Sequence, residues 1–475
     1  MAGGIWSESD KPIRPGFYNV FESAALDRAK PGKKGIVALP VTSNWGPVGE
    51  VVSVKSEKEL IEKFGESNDF TAYRLGRLTL LGEPRELLLY RMTDGKEKNS
   101  ELILKAGEKE VIKLESKYPT TRDFRISVVP NILDEEAIDI NLLEGTLPVY
   151  SFKKLGGTAE EIANKINKNI LNKWIKASAL EEGSEEKIKL DPVVSIPLKG
   201  GNDGAGEISV DKYVESMTAF EGKNINAFSL DGQSTPALQK TVTAWVERNR
   251  RAGNKIRAYL GGPKDEVWRD AIEQSKELDS PGVAYLGVTG GIFNGIEYSP
   301  AETACYIMGL SEGQNIKESL TNELTVFQGI TQTLGHEDYN ESIKHGVLVL
   351  RENNGEVYVE DDVNTYRSFT KKEDGRWGYI RAIKFLDMVD EDTSLEGNTK
   401  YVGKALNITD GQLAVISALK KYFEGLHGEG IILDDFVVAI DEERQANAAD
   451  DEFFWIWDAK YVNVMKRLYG TGHIR

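Results

Sequence analysis

The run 452–469 constrains the fold most. It reads Glu-Phe-Phe-Trp-Ile-Trp-Asp-Ala-Lys-Tyr-Val-Asn-Val-Met-Lys-Arg-Leu-Tyr, rich in aromatic and β-branched residues and free of Pro and Gly, which is strand composition. A period of two puts Trp455, Trp457, Ala459 and Tyr461 on one face and Asp458, Lys460, Val462 and Val464 on the other. As a single strand it spans roughly 17 residues, about 55 Å, where a usual strand has about 5–6. One compact domain can hardly pair all of that. Either the run bends, or its last part leaves the domain and joins another chain's sheet edge, where main-chain hydrogen bonds supply affinity.

The chain of 475 residues is long enough for about three domains. Its 59 Lys+Arg against 76 Asp+Glu give a net charge of -17, which argues against nucleic acid or an anionic membrane surface as main partner. No apolar run approaches the ~18 residues of a membrane span, and the first residues lack the pattern of a signal peptide; cytoplasmic synthesis is expected. The single Cys305 excludes an intramolecular disulfide and a cysteine-rich metal site.

Residues 1–34 hold one strand-like run, 15–21, between polar linkers; a lone strand of this kind cannot bury itself. It reads as an arm, either folded back on its own body or donated outward. Residues 35–92 read as a small α/β segment: a buried strand at 35–41, a Gly46-Pro47 turn, a helix over 56–65 with Ser56 as N-cap and Glu59 completing a capping box, a helix over 71–82 and a strand over 86–92. From 93 to 197 short alternating runs predict an inserted β-sandwich, interrupted by one helix that opens with the capping box Thr158 to Glu161. From 198 to 360 strands near 227–230, 256–260 and 283–288 alternate with helices over 235–251, 265–278 and 300–310, which implies a mainly parallel sheet covered by helices. The segment 361–475 adds helices near 379–389 and 409–426, a strand at 435–440 and the closing run. In the second helix Leu413, Ile416, Leu419, Phe423 and Leu426 form the apolar stripe, with Thr409 or Asp410 as N-cap.

No convergent chemistry emerges. His336 and His345 are nine apart with no third ligand at metal-site spacing, and Cys305 sits mid-helix between Ala304 and Tyr306 as a small buried hydrophobe. The Gly-rich turns at 200–204, 261–263 and 287–291 carry neither a phosphate-loop ending nor a dinucleotide fingerprint, so chain reversal is their expected role. Of these, 287–291 follows a strand of the parallel sheet, where α/β proteins bind ligands. An α/β enzyme, hydrolase or nucleotide-binding, with an appended β domain is therefore the rival reading, and a capsid or baseplate protein a third.

Several stretches resemble the tail sheath proteins of contractile phages and R-type bacteriocins. Leu198-Lys199-Gly200-Gly201-Asn202-Asp203-Gly204 is similar to the turn that opens that family's main domain. Gly46-Pro47 through Val51–Val54 to Phe64-Gly65 resembles its N-terminal segment, and 300–310 its small-residue helix after a sheet strand. The closing run lacks the proline many relatives carry. The resemblance implies a multidomain α/β and β fold: a subtilisin-like central α/β domain without a protease site, an inserted β-sandwich, an α+β C-terminal domain and strand-donating terminal arms. It implies a non-enzymatic subunit with no cofactor and no metal, stacked as hexameric rings around an inner tube, with the tube protein, baseplate and tail terminator as partners. The resemblance further implies a particle, phage tail, bacteriocin or other injection device, assembled in the bacterial cytoplasm. The arm residues are Phe17, Tyr18, Val20, Phe21, Tyr461, Val462, Val464, Met465 and Leu468; the helix facing the tube presents Gln412, Lys420, Lys421, Glu424 and His427.

Overall fold

The computed structural model describes residues 35–181 and 183–474, together with the backbone of two short strands, Gly3–Gly4 and Phe17–Tyr18. The chain forms two compact units, one of 1–39, 75–88 and 217–475, the other of 40–74 and 89–216.

In the first unit the strands Val347–Leu348, Val283–Leu286, Arg257–Gly261, Ala227–Ser229 and Ile36–Val41 lie side by side in that order, and their pairings are parallel. Helices Pro236–Arg251, Trp268–Leu278 and Pro300–Gly313 are the crossovers that such connections require. Close packing depends on glycine at one place in particular. A Cβ on Gly309 would stand 2.2 Å from the Thr79 carbonyl oxygen, so the helix Pro300–Gly313 can approach Thr71–Leu80 only without a side chain there.

The same unit holds the C-terminal elements. The helix that starts at Ile380 runs to Lys400, beyond the expected 389. Its second half carries few apolar residues, and a Glu396–Lys400 ion pair at 2.6 Å supports it instead. Its first half enters a buried charge network. Asp387 accepts from Arg250 at 2.9 and 2.6 Å and from Arg257 at 2.6 Å. Arg257 also donates to both oxygens of Glu312 at 3.1 Å, and Lys255 pairs with Asp390 at 2.7 Å. Burial pushes the Asp387 carboxyl up, but Arg250 and Arg257 outweigh it and hold it below its ordinary value. This network fastens the long helix to the parallel sheet.

Helix Thr409–Gly428 buries Leu419, Phe423 and Leu426 against Phe385, Val389 and Ile432. Its N-cap is Ile408, with no side-chain cap, in place of Thr409 or Asp410. The expected long closing strand is corrected too. Only Trp455–Asp458 is a regular strand, because its antiparallel partner Val437–Ile440 has four residues to offer. Pairing then resumes in fragments: Leu433 N–H donates to Lys460 O, Ile432 bridges Tyr461, and Val462 N–H donates to Ile431 O. The alternation itself holds, since Ala459 is buried and the Trp455, Trp457 and Tyr461 rings pack on the cluster, whereas Ile456 is 48% exposed.

In the second unit, 93–203 forms two stacked antiparallel sheets, Leu147–Leu155, Ile138–Glu144, Phe124–Pro130 and Val193–Pro197 in one, Ile175–Ala179, Lys109–Ser116 and Glu101–Ala106 in the other. They enclose a core that includes Phe124, Ile126, Ile140 and Phe152. Thr158 makes the reciprocal capping box with Glu161. Ser56 caps its helix as expected, but the Glu59 carboxylate turns to Lys55 N–H and Lys63 rather than closing the box.

The two chain crossings into the sandwich run antiparallel: Asp94 N–H donates to Gly204 O, and Lys98 bridges Asn202. Beneath them lies Arg91, fully buried, donating to the carbonyls of Gly46 at 2.8 Å, Pro119 at 2.9 Å and Asp203 at 2.8 Å. Burial pulls its guanidinium down to about 10. Gly201 must be glycine, since a Cβ would meet the Thr120 oxygen at 2.1 Å.

Candidate assembly elements

The arm emerges from the C-terminal cluster. Tyr461 lies 5.3 Å from the Phe385 ring with the Arg381 guanidinium 4.4 Å over its own ring. Arg381 also donates to Ile316 O at 2.9 Å and Val462 O at 3.2 Å. Tyr461 and Val462, expected in the arm, are thus built into their own domain, and Val464 is half-buried. Met465 and Leu468 are 84% and 80% exposed, with Tyr469 at 90%. At the other end, Phe17–Tyr18 pairs in parallel with Gly3–Gly4 and its backbone runs beside the helix Ile380–Lys400. Val20 and Phe21 lie outside the described residues.

On helix Thr409–Gly428, Lys420, Lys421, Glu424 and His427 are all exposed; Lys420 and His427, three and four residues from Phe423, border the buried stripe, while Lys421 and Glu424 lie further round the helix. Gln412 is half-buried and donates to Asn407 Oδ1 at 2.9 Å. The stripe is shorter than expected, because Leu413 is 53% exposed and only the second half of the helix is buried.

The turn 287–291 offers no ligand space, against the alternative of a small-molecule site there. All five residues are buried, and the crevice is filled by Glu266. Its carboxylate accepts from the Tyr285 hydroxyl and from Val288 N–H at 3.1 Å. A Cβ on Gly262 would stand 2.0 Å from Glu266 Oε2. Burial lifts the Glu266 carboxyl to about 7. The bond to Val288 supports a β-branched residue at φ 63, a left-handed conformation valine rarely adopts. Cys305 is fully buried, and burial pushes its thiol up to about 12, a state unsuited to nucleophilic attack. His345 pairs with Glu341 at 3.4 Å and His336 with Asn340 at 3.2 Å. Among the described residues no group of His, Cys, Asp and Glu is arranged to hold a metal, and no helix is long and apolar enough to cross a membrane.

Sequence reasoning missed Lys466, Asp361 and Asp362, which meet near the arm's root. The adjacent acidic pair stood in the sequence, but nothing local tied it to a lysine 104 and 105 residues away.

Comparison with known proteins decides what this architecture is. Residues 206–365 match the phage tail sheath protein central domain, 372–475 the phage tail sheath C-terminal domain, 93–203 the phage tail sheath protein beta-sandwich domain, and 34–78 the N-terminal region of tail sheath protein Gp18 domain III. The chain belongs to the contractile tail sheath family. It is a multidomain α/β and β sheath subunit, with the inserted sandwich, central domain and C-terminal domain of that family. Two Bacillus subtilis relatives, the uncharacterized protein YqbK and the phage-like element PBSX protein XkdK, are 26% and 25% identical, each over 95% of this chain and 96% of theirs. The sheath tail protein of Desulfitobacterium hafniense superposes with a TM-score of 0.70 at 20% identity, over 94% of this chain and 100% of that one. The anti-feeding prophage (AFP) helical sheath in its contracted state gives 0.53 at 10% identity, over 98% and 99%.

Proposed function

We propose that this sheath subunit polymerises as stacked hexameric rings around an inner tube and that the assembly contracts to drive the tube through a target cell envelope. The observation that carries the reading is the C-terminal segment. Residues 467–474 are exposed and free of secondary structure, yet they present Leu468, Tyr469 and Ile474 to solvent. The sheet of Val437–Ile440 and Trp455–Asp458 is two strands wide among the described residues, and a small sheet of this kind is the sort of element that strands donated by other copies extend. The AFP neighbour is a helical sheath in its contracted state, which supports helical assembly of many copies.

Mechanism follows from the contact type. An arm that reaches from one copy to the next is a head-to-tail contact, and repetition of such contacts builds a helix or a closed ring. Tethered neighbours can shift as rigid bodies without separating, so an extended lattice can pass to a shorter, wider one and release the free-energy difference as work. The exposed face of Lys420, Lys421, Glu424 and His427 is assigned to the tube, and the lattice end to baseplate and terminator proteins. No nucleotide, cofactor or metal enters this scheme. Phage tail and bacteriocin particle are equally compatible with it. The test is a chain ending at Lys466: it should fold with the parent's melting temperature and form no tubes, and normal tubes from it would refute the assignment of the arm.

A further inference from the structure

Beyond the last paired residue, Val462, Arg381 donates to Asn463 Oδ1 at 3.4 Å, and the chain then makes a stronger contact before the exposed tail. Lys466 Nζ donates to Asp361 Oδ1 at 2.5 Å and Asp362 Oδ1 at 3.1 Å, and stands 3.8 Å from the centre of the Tyr379 ring. The side chains of Lys466, Asp361 and Asp362 are 13%, 8% and 2% exposed. Both carboxylates are prepared for the cation: the Thr321 hydroxyl donates to Asp361 at 2.7 Å and the Ser319 hydroxyl to Asp362 at 2.8 Å. Burial pushes the Asp362 carboxyl up, and Lys466 works against that push. The neighbours behave in the opposite way, since Met465, Leu468 and Tyr469 stand in water. A segment that buries its ammonium and exposes its apolar side chains inverts the usual partition. Self-packing does not explain that inversion, but a second surface waiting for Leu468 and Tyr469 does.

The contact also determines how load enters the subunit. Asp361 and Asp362 follow the strand Glu356–Val359 in the segment that matches the sheath central domain. Tension on an arm rooted only at Val462 would peel the fragmentary pairing of 458–462 one hydrogen bond at a time. A seat at Lys466 passes that tension to the central domain instead.

We propose that Lys466, seated on Asp361 and Asp362, is the positioning residue that fixes where the C-terminal arm leaves the subunit, so that only Arg467 onward reaches a second copy of this chain. This rests on the arm's assignment above. Three full-length variants, Lys466→Met, Lys466→Arg and Lys466→Met with Asp362→Asn, are compared with the chain ending at Lys466. The double variant removes a carboxylate that the methionine would strand, so a folding failure of the single variant does not end the test. Each chain also carries Met465→Cys with a nitroxide, which the buried Cys305 does not compete for.

The proposal expects the root label to gain mobility in the methionine variants and the assembly concentration to rise at least tenfold, in the double variant without loss of the folded body. Arginine should restore both. A double variant with an immobile label and parental assembly overturns the anchor. Failed assembly of the chain ending at Lys466 beside that result leaves the arm standing without its anchor. Tubes from the shortened chain overturn the arm and the anchor with it.

Discussion

Replacing Asp387 by alanine tests how the C-terminal helices are held to the parallel sheet. The Asp387 side chain is 5% exposed and receives three charge-assisted hydrogen bonds, from Arg250 at 2.9 and 2.6 Å and from Arg257 at 2.6 Å. Alanine strands two guanidiniums: Arg257 keeps Glu312, while Arg250 keeps the Ile256 carbonyl and, at 14% exposure, some water. Removing one partner of a buried pair costs about 3–5 kcal/mol, chiefly because the remaining charge stays buried. In a unit of this size that lowers the melting temperature on the order of 10 °C. Asparagine, which keeps one acceptor oxygen, should lose less.

The sign of the pH dependence follows from the same geometry. The folded carboxyl lies below its unfolded value, so its contribution is present above about pH 4 and drains as pH falls further. Chemical denaturation of parent, alanine and asparagine variants at pH 7 and pH 3 reads both effects. A loss under about 1 kcal/mol at pH 7, or one that does not shrink at pH 3, refutes the reasoning.

Glu266 titrates in the opposite sense, because burial raises its carboxyl to about 7. The parent should lose stability relative to Glu266→Gln by roughly 2–3 kcal/mol between pH 5 and pH 8, measured as the difference of two denaturation curves. A difference independent of pH contradicts the burial argument. Arg91→Met leaves three carbonyls, of Gly46, Pro119 and Asp203, without their donor. It should cost more than about 3 kcal/mol and loosen the crossings into the sandwich to protease. Lys420→Glu with Lys421→Glu, both exposed, should leave stability within about 0.5 kcal/mol while weakening co-sedimentation with tube protein. Undiminished binding would move the tube contact off this helix.

What could be read from the sequence was local. The alternation of Trp455, Trp457, Ala459 and Tyr461 depends only on pleat geometry, and Ser56 and Thr158 cap because a side-chain oxygen reaches an amide three residues on. The inserted sandwich showed as alternating runs, and the parallel sheet as strands spaced by helices. What escaped depends on residues far apart in the chain. Asp387 lies 130 and 137 residues from Arg257 and Arg250, so no local pattern marked the network that fastens the long helix, and the polar second half past 389 carried no apolar stripe to reveal its length. Tyr461 and Val462 were read as free arm because their composition suits any sheet edge, their own included. The turn 287–291 stood as a possible ligand site because it follows a strand of the parallel sheet, and nothing in the turn revealed that Glu266, placed 22 residues before Val288, occupies it.

The central claim is assembly through the C-terminal arm, and negative-stain electron microscopy of the purified full-length chain beside the chain ending at Lys466 tests it most directly. The account predicts long striated hollow cylinders from the intact chain and dispersed subunits from the shortened one. Uniform small particles from both, unchanged on concentration, would contradict it.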